Sequence, residues 1–437
     1  MKKLVGLLVV LAAIVLVAPK FVGDVVKEKY LDIAEKVSES GDITATTQFT
    51  DEGWFGATVI TDYKINLPIE AETFEIIITS TEELSYGPVI FKDGVKFALS
   101  YSDIVLSFSF GEELPIEAQD ILDSFNEKVA IKNSITYGLD VLSTFDMGQV
   151  ETDLDGDTFV LKPLHGEFVV EDNKRLYGFM QWDGMTIGNP DMSAEIGKII
   201  FDVDQTALEG NVYSSTALYE GGGSVLIENF DMTSALQPQA NVKMKDFLIK
   251  AYGTVENNLM AVEVLYNVKE IVAAGQVISD ANIDILIENL DVKVLQELMD
   301  ETSYSAIAVT EEEAAAQVER IGAISEKLLA SNPTLNLRDM SFQMPAGGAQ
   351  ANMTGHIDAS MFDLSQVEHI DKAMVANGNV AVDESLLATY GIMPMADMYI
   401  QQGFAEKADG QVKTTISVAN GELKINGIVM PLGQEQQ

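Results

Sequence analysis

The chain has 437 residues, more than one ordinary domain needs, and its 47% hydrophobic and 22% charged content is that of a folded protein. Against 68 acidic residues stand 27 basic ones, a net charge of −41, so a phosphate backbone finds no cation surplus here and nucleic acid is excluded as a partner. With 0 Cys and 3 His, disulfide scaffolds, thiolate nucleophiles, iron–sulfur clusters and most zinc sites are excluded as well.

Lys2 and Lys3 precede an uncharged stretch from Leu4 to Pro19, and after Lys20 the apolar character resumes at Phe21 and Val22. A helix from Leu4 to Gly23 rises about 30 Å, the thickness of a bilayer core, and the spacing predicts a transmembrane anchor over 1–23. A cleaved signal peptide is the rival, but Leu16-Val17-Ala18-Pro19-Lys20 puts a proline and a lysine where a peptidase needs small residues. Lysines on the short side place the N-terminus in the cytoplasm and the body across the membrane. Residues 24–41 read as an amphipathic stalk helix, with Val25, Val26, Tyr30, Ile33, Ala34 and Val37 near helical spacing and Gly41 as its stop. Its apolar stripe needs a partner, either its own domain or a second stalk in a dimer.

Residues 42–290 read as an antiparallel β region, with short alternating runs between Gly, Asn and Asp. Strands are expected at Gly56–Leu67, Phe74–Ser80, Asn241–Tyr252 and Leu259–Asn267, and Val95–Phe110 changes phase near Asp103. Asp155-Gly156 and Asn420-Gly421 are hairpin dipeptides, and Gly221-Gly222-Gly223 reads as a flexible hairpin tip.

Residues 291–437 read as a mixed α/β region. Helices are expected at Val292–Met299, from a Thr310/Glu313 capping box to Asn332-Pro333, at Ser365–Ala376, and in a broken stretch Asp383–Phe404 interrupted at Gly391 and Pro394. Strands lie near Leu335–Met344 and Ala351–Ala359, and a hairpin Gln411–Ala419/Glu422–Met430 closes the chain. Leu226–Asp231 and Leu286–Asp291 echo each other, each followed by a segment with helical bias (Met232–Leu236 and Val292–Met299), as a duplicated strand-then-helix unit would be.

The phosphate-loop, dinucleotide, hydrolase-elbow and zincin motifs lack their residues. His165, His356 and His369 are far apart in sequence and read as structural or surface residues. Asp153-Leu154-Asp155-Gly156-Asp157 invites a calcium reading, but Thr158 and Leu164 occupy the places where that loop needs glycine and glutamate, and a hairpin accounts for the residues. Of 18 methionines, Met340, Met344, Met353, Met361, Met374, Met393, Met395 and Met398 crowd toward the C-terminal part. Thioethers suit Cu(I), but without histidine or cysteine beside them an adaptable apolar surface is the reading adopted. No catalytic, cofactor-binding or metal residue is assigned, no cofactor is expected, and the protein is read as a non-enzyme.

Three segments carry a family resemblance. Glu52-Gly53-Trp54-Phe55-Gly56-Ala57, Ser85-Tyr86-Gly87-Pro88, and the end from Gly403-Phe404 through Asn420-Gly421 to Asn426-Gly427 together resemble the YdgA-like family of Gram-negative envelope proteins, which is built on a domain of unknown function. That family usually has His-Gly-Pro where this chain has Tyr86-Gly87-Pro88, so a role for the histidine does not carry over. The resemblance implies a single-pass inner-membrane protein with a periplasmic body and possible self-association. By fold analogy it is also similar to the AsmA-like proteins, whose curved antiparallel sheets make an apolar groove.

The expectation is therefore a mainly β (α+β) protein: curved antiparallel sheets, a helical insert, C-terminal helices and an N-terminal membrane helix. Its function is read as an envelope binding protein with a hydrophobic groove for lipid or acyl chains; the alternative is a homodimeric scaffold with no ligand. Strand order, and hence the choice among groove, sandwich and barrel, is not written in the pattern.

Overall fold

The computed structural model describes residues 2–39, 43–69, 72–110, 127–154, 156–189, 191–303, 311–358 and 370–431, with side chains in the first helix from Leu16 onward. The chain forms two compact units, one of Met1–Asn189 with Ile199–Tyr219 and one of Pro190–Lys198 with Glu220–Gln437. The division falls inside the stretch 42–290. Strand is the dominant state and the described pairings are antiparallel.

Unit 1 opens with α1 (Lys2–Glu39), a single helix that runs through Pro19 and joins the expected anchor and stalk without a break. Its strands are β1 (Ile43–Thr50), β2 (Gly56–Ile69), β3 (Glu72–Tyr86), β4 (Val89–Ile90), β5 (Lys96–Phe97), β6 (Ser100–Phe110), β7 (Val129–Ile135), β8 (Val141–Met147), β9 (Val150–Leu154), β10 (Asp157–Leu161), β11 (Leu164–Glu171), β12 (Arg175–Trp182), β13 (Met185–Gly188) and β15 (Ile199–Ala207). The main sheet runs β1-β2-β3-β6-β7-β8-β11-β12-β15, and β9, β10 and β13 make a side ribbon. The break in Val95–Phe110 falls at Ala98–Leu99, not near Asp103, because β4 and β5 pair with each other first. Ile90 and Ala98 of this hairpin bury against Tyr101, while Phe91, Val95 and Phe97 stay exposed.

The stripe of α1 packs on its own unit, as one of the two expectations had it. Val26 and Ala34 are buried, and Val26 joins Ala57 and Val59 of β2, Leu84 and Tyr86 of β3 and Ile135 of β7 in one core, with Val22, Tyr30, Phe49 and Leu99 against it. Alternation on β2 turns Ala57, Val59 and Thr61 to this side. Burying a valine such as Val26 stabilises by roughly 1.5–3 kcal/mol.

Farther along α1 the same sheet face becomes polar. Glu82, only 3% exposed, accepts from the Tyr30 hydroxyl at 2.6 Å, from Ser102 Oγ at 2.9 Å and from Ser80 Oγ at 3.4 Å. Burial pushes its carboxyl above the ordinary value, opposed by donation from Tyr30, Ser102, Ser80 and Asn133. Burial and the nearby Glu82 carboxylate push the Tyr63 phenol up to about 12.

Unit 2 contains β14 (Met192–Ile196), β16 (Tyr219–Ser234), β17 (Val242–Glu256), β18 (Leu259–Ala273), β19 (Gln276–Asp291), α2 (Val292–Thr302), α3 (Glu311–Leu329), β20 (Thr334–Met344), β21 (Gly347–Ile357), α4 (Ile370–Ala373), β22 (Met374–Asp383), α5 (Glu384–Thr389), α6 (Met393–Gln401), β23 (Glu406–Ala408), β24 (Gln411–Ala419), β25 (Glu422–Ile425) and β26 (Ile428–Pro431). Its sheet follows chain order from β16 to β22 and then β24, β25 and β26, with β14 on β16 and β23 on β24. α2 starts where Asp291 caps the backbone N–H groups of Lys293 and Val294. The Thr310 cap of α3 lies outside the described residues.

Four expectations in this unit need correction. Gly221-Gly222-Gly223 is no hairpin tip but lies inside β16, opposite Gly253, Tyr252 and Ala251. The strands are so close at Gly222 that a Cβ there would sit 2.0 Å from the Ala251 carbonyl oxygen. The echoed segments do not repeat as strand-then-helix, because β16 runs on through Met232–Ser234, paired with β14 throughout and with β17 at Met232, and only the second copy enters a helix. Of the helix expected at Ser365–Ala376, α4 is the described part and Met374 already starts β22, pairing with Ile357; residues 365–369 lie outside the described residues. The final strand is two, since Asn426 and Gly427 take positive φ and turn the chain. The Asn426 side chain holds that turn by accepting from the Thr415 N–H at 2.7 Å.

Candidate functional site

Paired residues of an antiparallel sheet point to the same face, so the register of unit 2 shows what each face carries. One row runs Val225, Ile249, Tyr266, Ile283, Met340, Ala351, Val380 and Thr414 across eight strands. The neighbouring row on that face runs Gly223, Ala251, Val264, Ile285, Leu337, Met353, Gly378 and Ile416, and reaches Ile425. Only Thr414 in these rows has a polar side chain besides the Tyr266 phenol.

A bulge makes the rows possible. Leu337 and Met340 are three residues apart and would face opposite ways in a regular strand, but the register shifts between them and both pair with inward residues, Ile285 and Ile283. The opposite face carries a polar network around β20: Arg338 Nε and Nη2 bond Asp284, Nη2 also reaches Glu263, and Asn282 donates to Asp339 at 2.7 Å. On the apolar face Tyr266, Ile283 and Met340 are 39%, 36% and 50% exposed. Large apolar groups lined up on one face and partly open to solvent make a surface that another apolar body can cover.

The two rows end in a cavity of about 500 Å³. Its floor is Val380 and Val382 of β22, Val412, Thr414 and Ile416 of β24 and Ile425 of β25, and its roof is formed by Leu387 of α5, Ile392 just ahead of α6, and Met395, Ala396 and Tyr399 of α6. The roof helices are held by polar contacts outside the cavity. Asp383, just ahead of α5, accepts from the Gly348 N–H at 2.7 Å and from Gln411 at 3.0 Å, and these donors hold its carboxyl below the usual range. Lys407 bridges Glu384 of α5 and Asp397 of α6 at 3.1 and 3.3 Å, and the Tyr390 hydroxyl donates to Gln276 at 2.7 Å. The break expected at Gly391 and Pro394 separates α5 from α6: Gly391 takes φ 70° and Pro394 sits in the first turn of α6.

Inside, the one hydroxyl facing the space from the floor is already committed, Thr414 Oγ1 donating to the Phe404 carbonyl at 2.7 Å. Tyr399 and Lys413 are the only titratable residues in the lining, and the Lys413 ammonium is bonded to Asp409 at 3.1 Å. A site of this volume, with hydrocarbon walls and few polar groups, selects by shape and apolarity. Of the methionines singled out, Met395 lines the cavity, Met340 and Met353 lie on the track, Met398 is exposed on α6, and Met361 is outside the described residues.

The histidines are not brought together. His165 lies in unit 1, its Nδ1 2.7 Å from Asp146 at the surface, and His356 pairs with Thr334 and Val375 in unit 2. His369 is outside the described residues. The Asp153–Asp157 segment is the β9–β10 hairpin, with Thr158 Oγ1 donating to Asp153; Asp155 is outside the described residues. Among the described residues no group of three His, Asp or Glu side chains is placed to hold a metal ion. Also among them, no helix is long and apolar enough to cross a membrane.

An apolar sheet face is expected from the sequence, but not which residues form it. Its signal, alternation such as Val262, Val264, Tyr266 and Val268, is visible in single strands, but alignment across strands needs the register. No curated protein matches the chain. A family model described as bacterial protein of unknown function (DUF945) matches residues 1–433, and the chain belongs to that family.

Proposed function

We propose that the chain is a non-enzymatic binding protein of the bacterial envelope, of the YdgA-like kind, whose track and cavity in unit 2 hold an acyl chain or a comparably apolar ligand. The observation that carries this reading is continuity: Val380, Ile416 and Ile425 belong both to the cross-strand rows and to the cavity lining. Such a surface gains roughly 0.8 kcal/mol for each ligand methylene it removes from water. Methionines at the mouth and along the rows adapt to chains of different length. Attachment to the inner membrane by the first part of α1 belongs to the same proposal and is supported by the uncharged run after Lys2 and Lys3.

The test is to extract the full chain with mild detergent and identify retained lipid by mass spectrometry. Near-stoichiometric lipid is expected; ligand-free protein that also fails to take up added phospholipid or fatty acid would overturn the reading.

A further inference from the structure

We propose that the rim of unit 1 around the exit of α1 is a seat for the membrane interface, with Trp54 and Phe55 immersed among headgroups and the first acyl methylenes. The proposal rests on the reading of α1 as an anchor and assigns a role to the Gly53-Trp54-Phe55-Gly56 segment.

The packing of α1 corrects the span expected from sequence. Pro19 is fully buried, Val22 packs on the core, and Gly23 lies so close to the Tyr86 ring that a Cβ would approach it to 2.9 Å. Lipid therefore cannot surround the helix as far as Gly23. The 14 residues from Leu4 to Val17 rise about 21 Å, well short of the bilayer core of about 30 Å.

The deficit is made good on one side. Leu16, Val17 and Phe21 point away from the core and, with Trp54 and Phe55 of the β1–β2 loop, are 48–68% exposed. The loop is fixed at that height: Trp54 Nε1–H donates to the Leu16 carbonyl at 2.7 Å, and the Phe55 carbonyl accepts from the Tyr86 N–H at 2.8 Å. Sinking this rim until Phe21 sits at the headgroup boundary gives an apolar and interfacial reach of about 27 Å, and local thinning of the bilayer accommodates the rest. The indole hydrogen is already bonded, so the ring enters the interface without stranding a donor. Charge is ordered to match. Lys20, exposed in the rim, is the sole charged residue from Leu4 to Gly23 and faces lipid phosphate, whereas Asp24 comes only beyond it and Glu52 is held farther along α1 by Lys27 at 2.8 Å.

The full chain carries two tryptophans, so a Trp182→Phe variant reports on Trp54 alone. It is reconstituted in phosphatidylcholine–phosphatidylglycerol vesicles whose acyl chains carry bromine at shallow or deep positions. Shallow bromines are expected to remove most of the Trp54 emission and deep ones much less, while Trp182, read in a Trp54→Phe chain, keeps its emission. Protein that floats with the vesicles but keeps its Trp54 emission with every bromolipid overturns the seat and leaves the anchor standing. Protein that does not float overturns both. Equal quenching of the two tryptophans also overturns the seat.

Discussion

Replacing Glu82 by alanine is expected to destabilise unit 1 by about 3 kcal/mol, because the Tyr30 and Ser102 hydroxyls would lose their acceptor inside the protein and a cavity would open beneath α1. Glutamine is expected to behave in the opposite sense. It keeps an acceptor for Tyr30 and removes the cost of a carboxylate buried without a cation among Tyr30, Tyr63, Ser80, Ser102 and Asn133. The pH dependence follows from the direction of the shift. The folded-state pKa of Glu82 lies above the unfolded one, so the native state holds the proton more tightly. Stability from this group is fully present below the unfolded pKa and is lost as pH rises through the folded pKa. Denaturant titrations at several pH values should show Glu82→Gln gaining on wild type as pH rises from about 4.3 through that window and then running parallel to it. A constant difference across the whole range would mean that Glu82 does not titrate as its burial requires.

Filling the cavity has the second large effect. Ala396 is buried in the roof on α6, facing the floor of Val380, Val412 and Ile416. A phenyl ring in its place displaces two or three ligand methylenes, each contributing about 0.8 kcal/mol. Ala396→Phe should therefore weaken retention of an acyl ligand by about fifteen- to fiftyfold, seen as lipid lost from the purified chain at equal detergent. The same variant should raise or leave unchanged the melting temperature of ligand-free protein, since it fills space rather than emptying it. Unchanged lipid content in a folded Ala396→Phe chain would move the ligand away from the cavity.

How much of this could be read from the residues depends on the range of the interactions. Elements set by local chemistry were legible: the Asn420-Gly421 hairpin, the interruption at Gly391 and Pro394, the helix after Asp291, and the strands around Gly56 and Leu259. Local rules misled where a distant strand decided the outcome. Gly221–Gly223 carry turn composition, yet β17 lies against them and needs their lack of side chains. Met232–Leu236 has helical bias, but pairing with β14 extends the strand through Ser234. The candidate site belongs to this second class. Leu337 and Met340 look out of phase in sequence, and only the bulge between them puts both on the apolar face. Likewise the Leu4–Gly23 run reads as one uniform span, while the packing of Pro19, Val22 and Gly23 gives its last third a protein side and a solvent side.

In the proposed complex an apolar ligand lies along the cross-strand rows of unit 2 and ends in the cavity under α6. A fatty acid bearing a photoreactive diazirine along its chain, bound to the full chain and irradiated, tests it residue by residue when the adducts are mapped by peptide mass spectrometry. Adducts are expected on peptides carrying Ile283, Met340, Met353, Met395 and Ile416, competed away by unlabelled fatty acid and depleted at the cavity end in Ala396→Phe. Adducts spread equally over the Arg338–Asp284 face, or confined to unit 1, would contradict it.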